Sequence, residues 1–161
     1  MTEYEVNDQF AKDLAVVLSD TGFREFNAIR EQELKVLAVI CTRTKANGEY
    51  IEPKGIAITC KRVPPVYQLL TNAHYLVVCD YYFWTHAPDR EKTAALHHAL
   101  SAISVERTKK GVIKLKTRKP EIQVFRSTLT RFGAWNAPLV DAEEALKISA
   151  KAFAESRKPQ A

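Results

Sequence analysis

Apolar positions recur along the chain in two alternating periods. Phe10, Leu14, Val17 and Leu18 follow Asn7, a good helix N-cap, at helical spacing, which predicts a first helix over Asp8–Asp20 that stops near Gly22. After a short irregular or helical piece, the run Glu33–Arg43 is rich in β-branched and apolar residues and reads as a strand. Asn47-Gly48 then gives a turn signal, and Lys54–Arg62 reads as the returning arm of a hairpin with a longer loop than the tightest kind. Pro64-Pro65 ends that arm. His74–Trp84 is almost continuously apolar and predicts a third strand covered on both faces, with the aromatic run Tyr81–Trp84 alternating between them.

Pro88 and Asp89 open a helix over Pro88–Ser104, proline suiting the first turn and the acid suiting the helix dipole. Residues Val105–Lys119 read as a basic hairpin or loop turning at Lys110-Gly111. Pro120 opens a further helix over Glu121–Phe132, stopped by Gly133, and Asp141–Glu155 has the spacing of a last amphipathic helix. This mixture of strands and helices predicts one α+β domain over residues 1–155, with a frayed tail, Ser156–Ala161. No repeat, linker or low-complexity segment interrupts it.

Composition narrows the class. The 161 residues are 46% apolar and 27% charged, an ordinary globular balance for a single domain. Cys41, Cys60 and Cys79 are three widely spaced thiols without a CxxC pair. They read as buried hydrophobes in a reducing compartment, not as a disulfide framework or a zinc ribbon. The acidic start, Met1–Asp8, has no apolar core of signal-peptide length, and no apolar stretch is long enough to span a bilayer, so the chain reads as cytoplasmic, with no membrane role. The net charge of +5 is local: residues 105–119 hold Arg107, Lys109, Lys110, Lys114, Lys116, Arg118 and Lys119 against the single acid Glu106. Lys114, Lys116 and Arg118 alternate with Ile113 and Leu115, which would set charge on one face of a strand, either to engage phosphates or to block edge pairing. No aromatic residue interleaves them, which argues against base stacking there.

Two phrases carry a resemblance. One is an apolar strand ending in aromatics, Val77–Trp84, followed by the helical run Ala94-Ala95-Leu96-His97-His98-Ala99-Leu100-Ser101-Ala102. The other is Pro120-Glu121-Ile122-Gln123-Val124-Phe125 with Arg131-Phe132-Gly133-Ala134-Trp135 downstream. Over Leu34–Trp135 the chain resembles the putative phage metallopeptidases, small zincin-like proteins. The resemblance implies a zincin-like domain with a three- to five-stranded, mostly antiparallel sheet packed by about four helices. It also implies a phage source, hence the cytoplasm of an infected host, and it puts His98 on the first zinc-ligand position.

The departures from that pattern decide the chemistry. In HExxH, two histidines four residues apart share a helix face and one metal, and the glutamate takes a proton from the metal-bound water. Here Ala99 stands at the glutamate and Ala102 at the second histidine, and His97 is rotated about 100° from His98 around the helix. Losing the base costs roughly 10²–10⁴-fold, and losing a ligand can cost the metal itself.

The favoured reading is a phage-encoded protein without catalytic residues or cofactor. It would act by binding a host protein or nucleic acid through the 105–119 segment and the groove beside His98, for instance in host takeover or against a defence system. The alternative is a zinc hydrolase with a non-standard ligand set, His98 joined by His74, His86, Glu91 or Asp80. An assembly role through the last helix and the aromatic run is a third reading. The sequence leaves the oligomeric state open.

Overall fold

The computed structural model describes residues 1–119 together with Thr128, Arg131, Phe132, Gly133, Trp135 and Lys147. The fold is α+β. In chain order its elements are β1 (Thr2–Val6), α1 (Asp8–Ser19), a 3₁₀ turn (Arg24–Phe26), α2 (Asn27–Glu31), β2 (Val36–Arg43), β3 (Ile58–Arg62), α3 (Pro65–Thr71), β4 (Tyr75–Asp80), α4 (Tyr81–His86), α5 (Asp89–Leu100), β5 (Ile103–Arg107) and β6 (Ile113–Thr117). The first four strands form one sheet in the order β1-β2-β4-β3, and β5 and β6 form a separate ribbon.

The Asn7 side chain accepts from the Phe10 N–H at 2.9 Å and starts α1, as its sequence predicts. Phe10, Leu14 and Val17 then point inward. In the sheet, Ala38 and Ile40 of β2, Ile58 and Cys60 of β3, and Tyr75, Val77 and Cys79 of β4 share the buried face, which α1 and α5 cover. Leu76 and Val78, on the other face of β4, are half-buried.

Strand order differs from the sequence expectation. Asn47-Gly48 does make a turn, closed by Lys45–Glu49 and Gly48–Lys45 backbone bonds and a Thr44–Tyr50 bridge, with Gly48 at φ +84°. The strand that follows does not return along β2. Instead β4 runs parallel to β2 with Val36 opposite Tyr75, and β3 lies antiparallel on the far edge of β4 with Ile58 opposite Cys79. The most apolar strand thus takes a central position, where both its edges are paired, one face is buried and the other is half-covered, less than the cover on both faces that its sequence predicts. A further strand, β1, was not legible as one: all five of its residues are exposed, so it lacks the buried face that makes a strand pattern visible.

The aromatic run is a second correction. Asp80 ends β4 and caps α4, accepting from the Tyr82 N–H at 3.0 Å, so Tyr81–Trp84 is helical and not the end of a strand. Local capping overrides the β propensity of four aromatics. Trp84 packs edge-on against Phe10 at 4.6 Å, and Tyr81 lies 4.9 Å from Tyr50. Helix α5 stops at Leu100, short of Ser104, because Ile103 already belongs to β5. Thr128, Arg131 and Phe132 are helical and Gly133 has φ +64°, in keeping with the helix and glycine stop read there; the rest of Glu121–Phe132 lies outside the described residues. So do the expected helix Asp141–Glu155, apart from Lys147, and the tail Ser156–Ala161.

Candidate functional site

The last two turns of α5 carry the residues on which a metal site would depend. Every residue from Ala94 to Leu100 is buried, so this half of the helix is enclosed by sheet and neighbouring segments. His98 is 6% exposed and sits against the Trp135 ring, centroid to centroid 6.0 Å. Burial, and secondarily the charge that His97 would carry, push its pKa down to about 4, so the imidazole is neutral at pH 7. A cavity of about 330 Å³ lies between α1 and α5, bordered by Val17, Asp20, Phe23, Trp84 and Lys92.

Among the described residues, the groups beside His98 do not make a zinc site. Ala99 and Ala102 bring no ligating atom, and the Ser101 hydroxyl donates to the His97 carbonyl at 2.7 Å. Three of the other candidates, His74, His86 and Asp80, are engaged elsewhere. His74 Nδ1 accepts from the Lys35 N–H, His86 Nδ1 lies 2.7 Å from the Tyr82 carbonyl oxygen, and Asp80 receives the Arg43 guanidinium through Nε at 3.0 Å and Nη2 at 2.8 Å. Among the described residues no three His, Cys, Asp or Glu side chains converge as a metal site requires.

His97, set aside by helix geometry alone, anchors a polar network. It is fully buried, its Nε2 is 2.7 Å from Glu25 Oε1, and its Nδ1 is 2.7 Å from Thr128 Oγ1. Because a carboxylate only accepts, Nε2 carries the proton toward Glu25. Burial lowers the pKa of His97, so the ring is neutral and Nδ1 accepts from the Thr128 hydroxyl. Arg131 donates to Glu25 through Nε at 2.7 Å and Nη2 at 2.9 Å, and to the Gly22 carbonyl at 2.9 Å. Burial alone would raise the Glu25 carboxyl; hydrogen bonds from Arg131, its own backbone and His97 outweigh that and hold it at about 2. Phe23, Phe26 and Phe132 surround the imidazole at 5.0–5.4 Å. A Thr–His–Glu row has the parts of a nucleophilic triad, but Thr128 is fully buried, so no substrate carbonyl reaches its hydroxyl. The network is a clamp joining the 3₁₀ turn and α5 to Thr128 and Arg131.

The basic segment is the hairpin its sequence predicts. Ser104 pairs with Lys116 and Glu106 with Lys114, and Gly111 at φ +78° makes the turn. Ile113 and Leu115 are half-buried while Lys114 and Lys116 face out; Arg107, Lys109, Lys110, Arg118 and Lys119 are also exposed. Two of these charges are engaged within the chain. Lys116 Nζ lies 2.6 Å from Glu106, and the Arg118 guanidinium donates to the Ser101 carbonyl at 2.7 Å. The Tyr75 hydroxyl donates to the Lys116 carbonyl at 2.6 Å, fixing the hairpin to β4. β6 packs beside β3, whose exposed Lys61 and Arg62 extend the basic surface. Those two residues read in sequence only as the end of a strand; tertiary packing made them neighbours of the hairpin.

A family model described as putative phage metallopeptidase matches residues 2–146, well beyond the span of the two phrases. No curated protein and no solved structure matches the chain. The α+β arrangement is compatible with a zincin-like domain. With nearly the whole described fold inside the match, the chain belongs to the putative phage metallopeptidase family.

Proposed function

We propose that this phage metallopeptidase-like protein acts by binding, without hydrolysing peptides, and that the β5–β6 ribbon engages nucleic acid of the infected cell. The observation that carries the first half is the end of α5: buried Ala99 and, just beyond the helix, buried Ala102 stand at the water-activating and second-ligand positions, and His98 is packed against Trp135. A peptidase cycle needs an open metal position and a general base beside it. The second half is supported by the exposed Arg107, Lys109, Lys110, Lys114 and Lys119, joined by Lys61 and Arg62 from β3. Such a surface suits the phosphate backbone, with binding that weakens steeply in salt and carries little sequence preference. Binding of this kind would fit a role in host takeover or against a defence system.

Two measurements test the reading. Tag-free protein purified without added metal is expected to hold far less than one zinc per chain; a stoichiometric zinc that disappears in His98→Ala would instead establish a hydrolase with a non-standard ligand set. Fluorescence anisotropy with a short DNA duplex is expected to give salt-sensitive binding that survives His98→Ala and is lost in Lys109→Glu/Lys110→Glu/Lys114→Glu. Arg118 is left intact because its bond to Ser101 supports the fold. Binding unchanged by the triple charge reversal would rule out the hairpin.

A further inference from the structure

Helix α3 has its polarity inverted. Of its seven residues only Gln68 is turned inward, where its side-chain amide donates to the Val63 carbonyl at 2.8 Å, and no residue of the helix is buried. Val66, Tyr67, Leu69 and Leu70 are 58–88% exposed. At about 100° per residue these four occupy one arc of about 160°, centred opposite Gln68. Other exposed large apolar residues stand alone, as Val16 on α1 and Val112 beside the hairpin turn do, or come in pairs, as Tyr4 with Val6 on β1 and Tyr50 with Ile51 do, and such small exposures are common on any protein surface. Four in two helical turns, with the polar residue facing in, form a contiguous patch of the sort that monomers rarely leave uncovered.

We propose that α3 is a self-association surface, on which a second copy of this chain packs its own α3 across a two-fold axis. Charge and area both favour this occupant. From Val63 to Ala73 the chain has no Asp, Glu, Lys, Arg or His, so two copies meet here without like charges opposed. The same neutrality gives a charged partner segment or an anionic bilayer nothing to grip within the patch. Four side chains of this size present roughly 400–500 Å² of apolar surface per copy. Face to face, two copies bury at most roughly 800–1,000 Å² in total, at the small end for a specific interface and suited to a weak, reversible dimer. A symmetric contact is the simplest closed solution, since one patch serves both subunits and leaves none exposed.

Sedimentation equilibrium of the full chain is the test, over a range of concentrations from low to high micromolar. The expected result is a monomer–dimer equilibrium that Leu69→Glu/Leu70→Glu weakens by at least 100-fold, with an unchanged circular dichroism spectrum because neither side chain supports the core. Val16→Glu, at another exposed apolar site on α1, is expected to leave the equilibrium intact. In a second readout, Leu69→Cys is expected to form a disulfide-linked dimer under mild oxidation faster than Val16→Cys. A monomer at every concentration overturns the proposal, as does a dimer indifferent to the α3 substitutions. Flotation of the wild type, but not the double variant, with phosphatidylserine–phosphatidylcholine vesicles would also overturn it and assign the patch to a bilayer.

Discussion

Replacing Glu25 by glutamine removes one charge from the His97–Glu25–Arg131 clamp while keeping the side chain's shape. The carboxylate accepts from His97 Nε2 and from two guanidinium nitrogens, all within 2.9 Å, and its side chain is 20% exposed. A carboxyl held at about 2 against an ordinary 4.5 is favoured in its ionised folded form by roughly 3.4 kcal/mol, at 1.36 kcal/mol per tenfold. Arg131 is 37% exposed, so solvent screening brings the useful part down to about 2 kcal/mol. Glutamine with its carbonyl oxygen in the Oε1 position still accepts from His97 Nε2 and Arg131 Nε, but its amide donor then faces Arg131 Nη2, so the ionic pairing and one bond are lost. With a urea m-value of roughly 2 kcal/mol/M, the midpoint at pH 7 should fall by about 1 M. The pH dependence gives the sharper check. Because the folded pKa lies below the unfolded one, the stabilisation is complete above about 4.5 and is lost as pH falls through about 2. The gap between wild type and Glu25→Gln should therefore shrink to less than half by pH 3. A gap under 0.5 kcal/mol at pH 7, or one that stays constant down to pH 3, would refute the assignment of a charged clamp.

Asp80→Ala should cost roughly 3 kcal/mol, because it strips the N-cap from α4 and leaves Arg43 without its buried partner. For a domain of this size calorimetry should show a Tm lower by roughly 6–12 °C, with Asp80→Asn recovering about 1 kcal/mol through the cap; a loss below 2 °C would contradict it. Cysteine reactivity should separate the three thiols. Burial pushes Cys60 up to about 12 and Cys79 higher still, whereas Cys41 is half-buried. Ellman's reagent should titrate Cys41 first in native protein and reach the other two only on unfolding; equal rates for all three would show that the sheet opens far more readily than its packing suggests.

Features set by near neighbours were legible from the residues themselves. Asn7 with Phe10, Leu14 and Val17 marks α1, and the alternation around Lys110-Gly111 marks the β5–β6 hairpin. Each needs only a cap, a turn or a period within a few residues. The Asn47-Gly48 turn was equally visible, yet it predicts the wrong partner for β3, since a turn specifies a reversal and not the strand the chain joins afterward. The aromatic run misled for a related reason: Tyr81–Trp84 has strand propensity, and the side chain that makes it helical is the preceding Asp80.

The candidate site divides along the same line. Sequence alone determined that the run Ala94–Ala102 holds no HExxH motif, because Ala99 and Ala102 have no atoms with which to move a proton or hold a metal wherever they are placed. It also determined where the basic charge concentrates. It did not find the role of His97, whose partner Glu25 is 72 residues away, nor that of Arg131, 106 residues from the same carboxylate. Nor could it show that α3 turns its apolar side outward, since Val66, Tyr67, Leu69 and Leu70 have the spacing of an ordinary buried helix face. Residue chemistry is fixed by the sequence, and local periods follow from backbone geometry. Which strands pair, which polar groups meet in the interior and which helix face meets water depend on contacts between distant segments, and those only the folded chain decides.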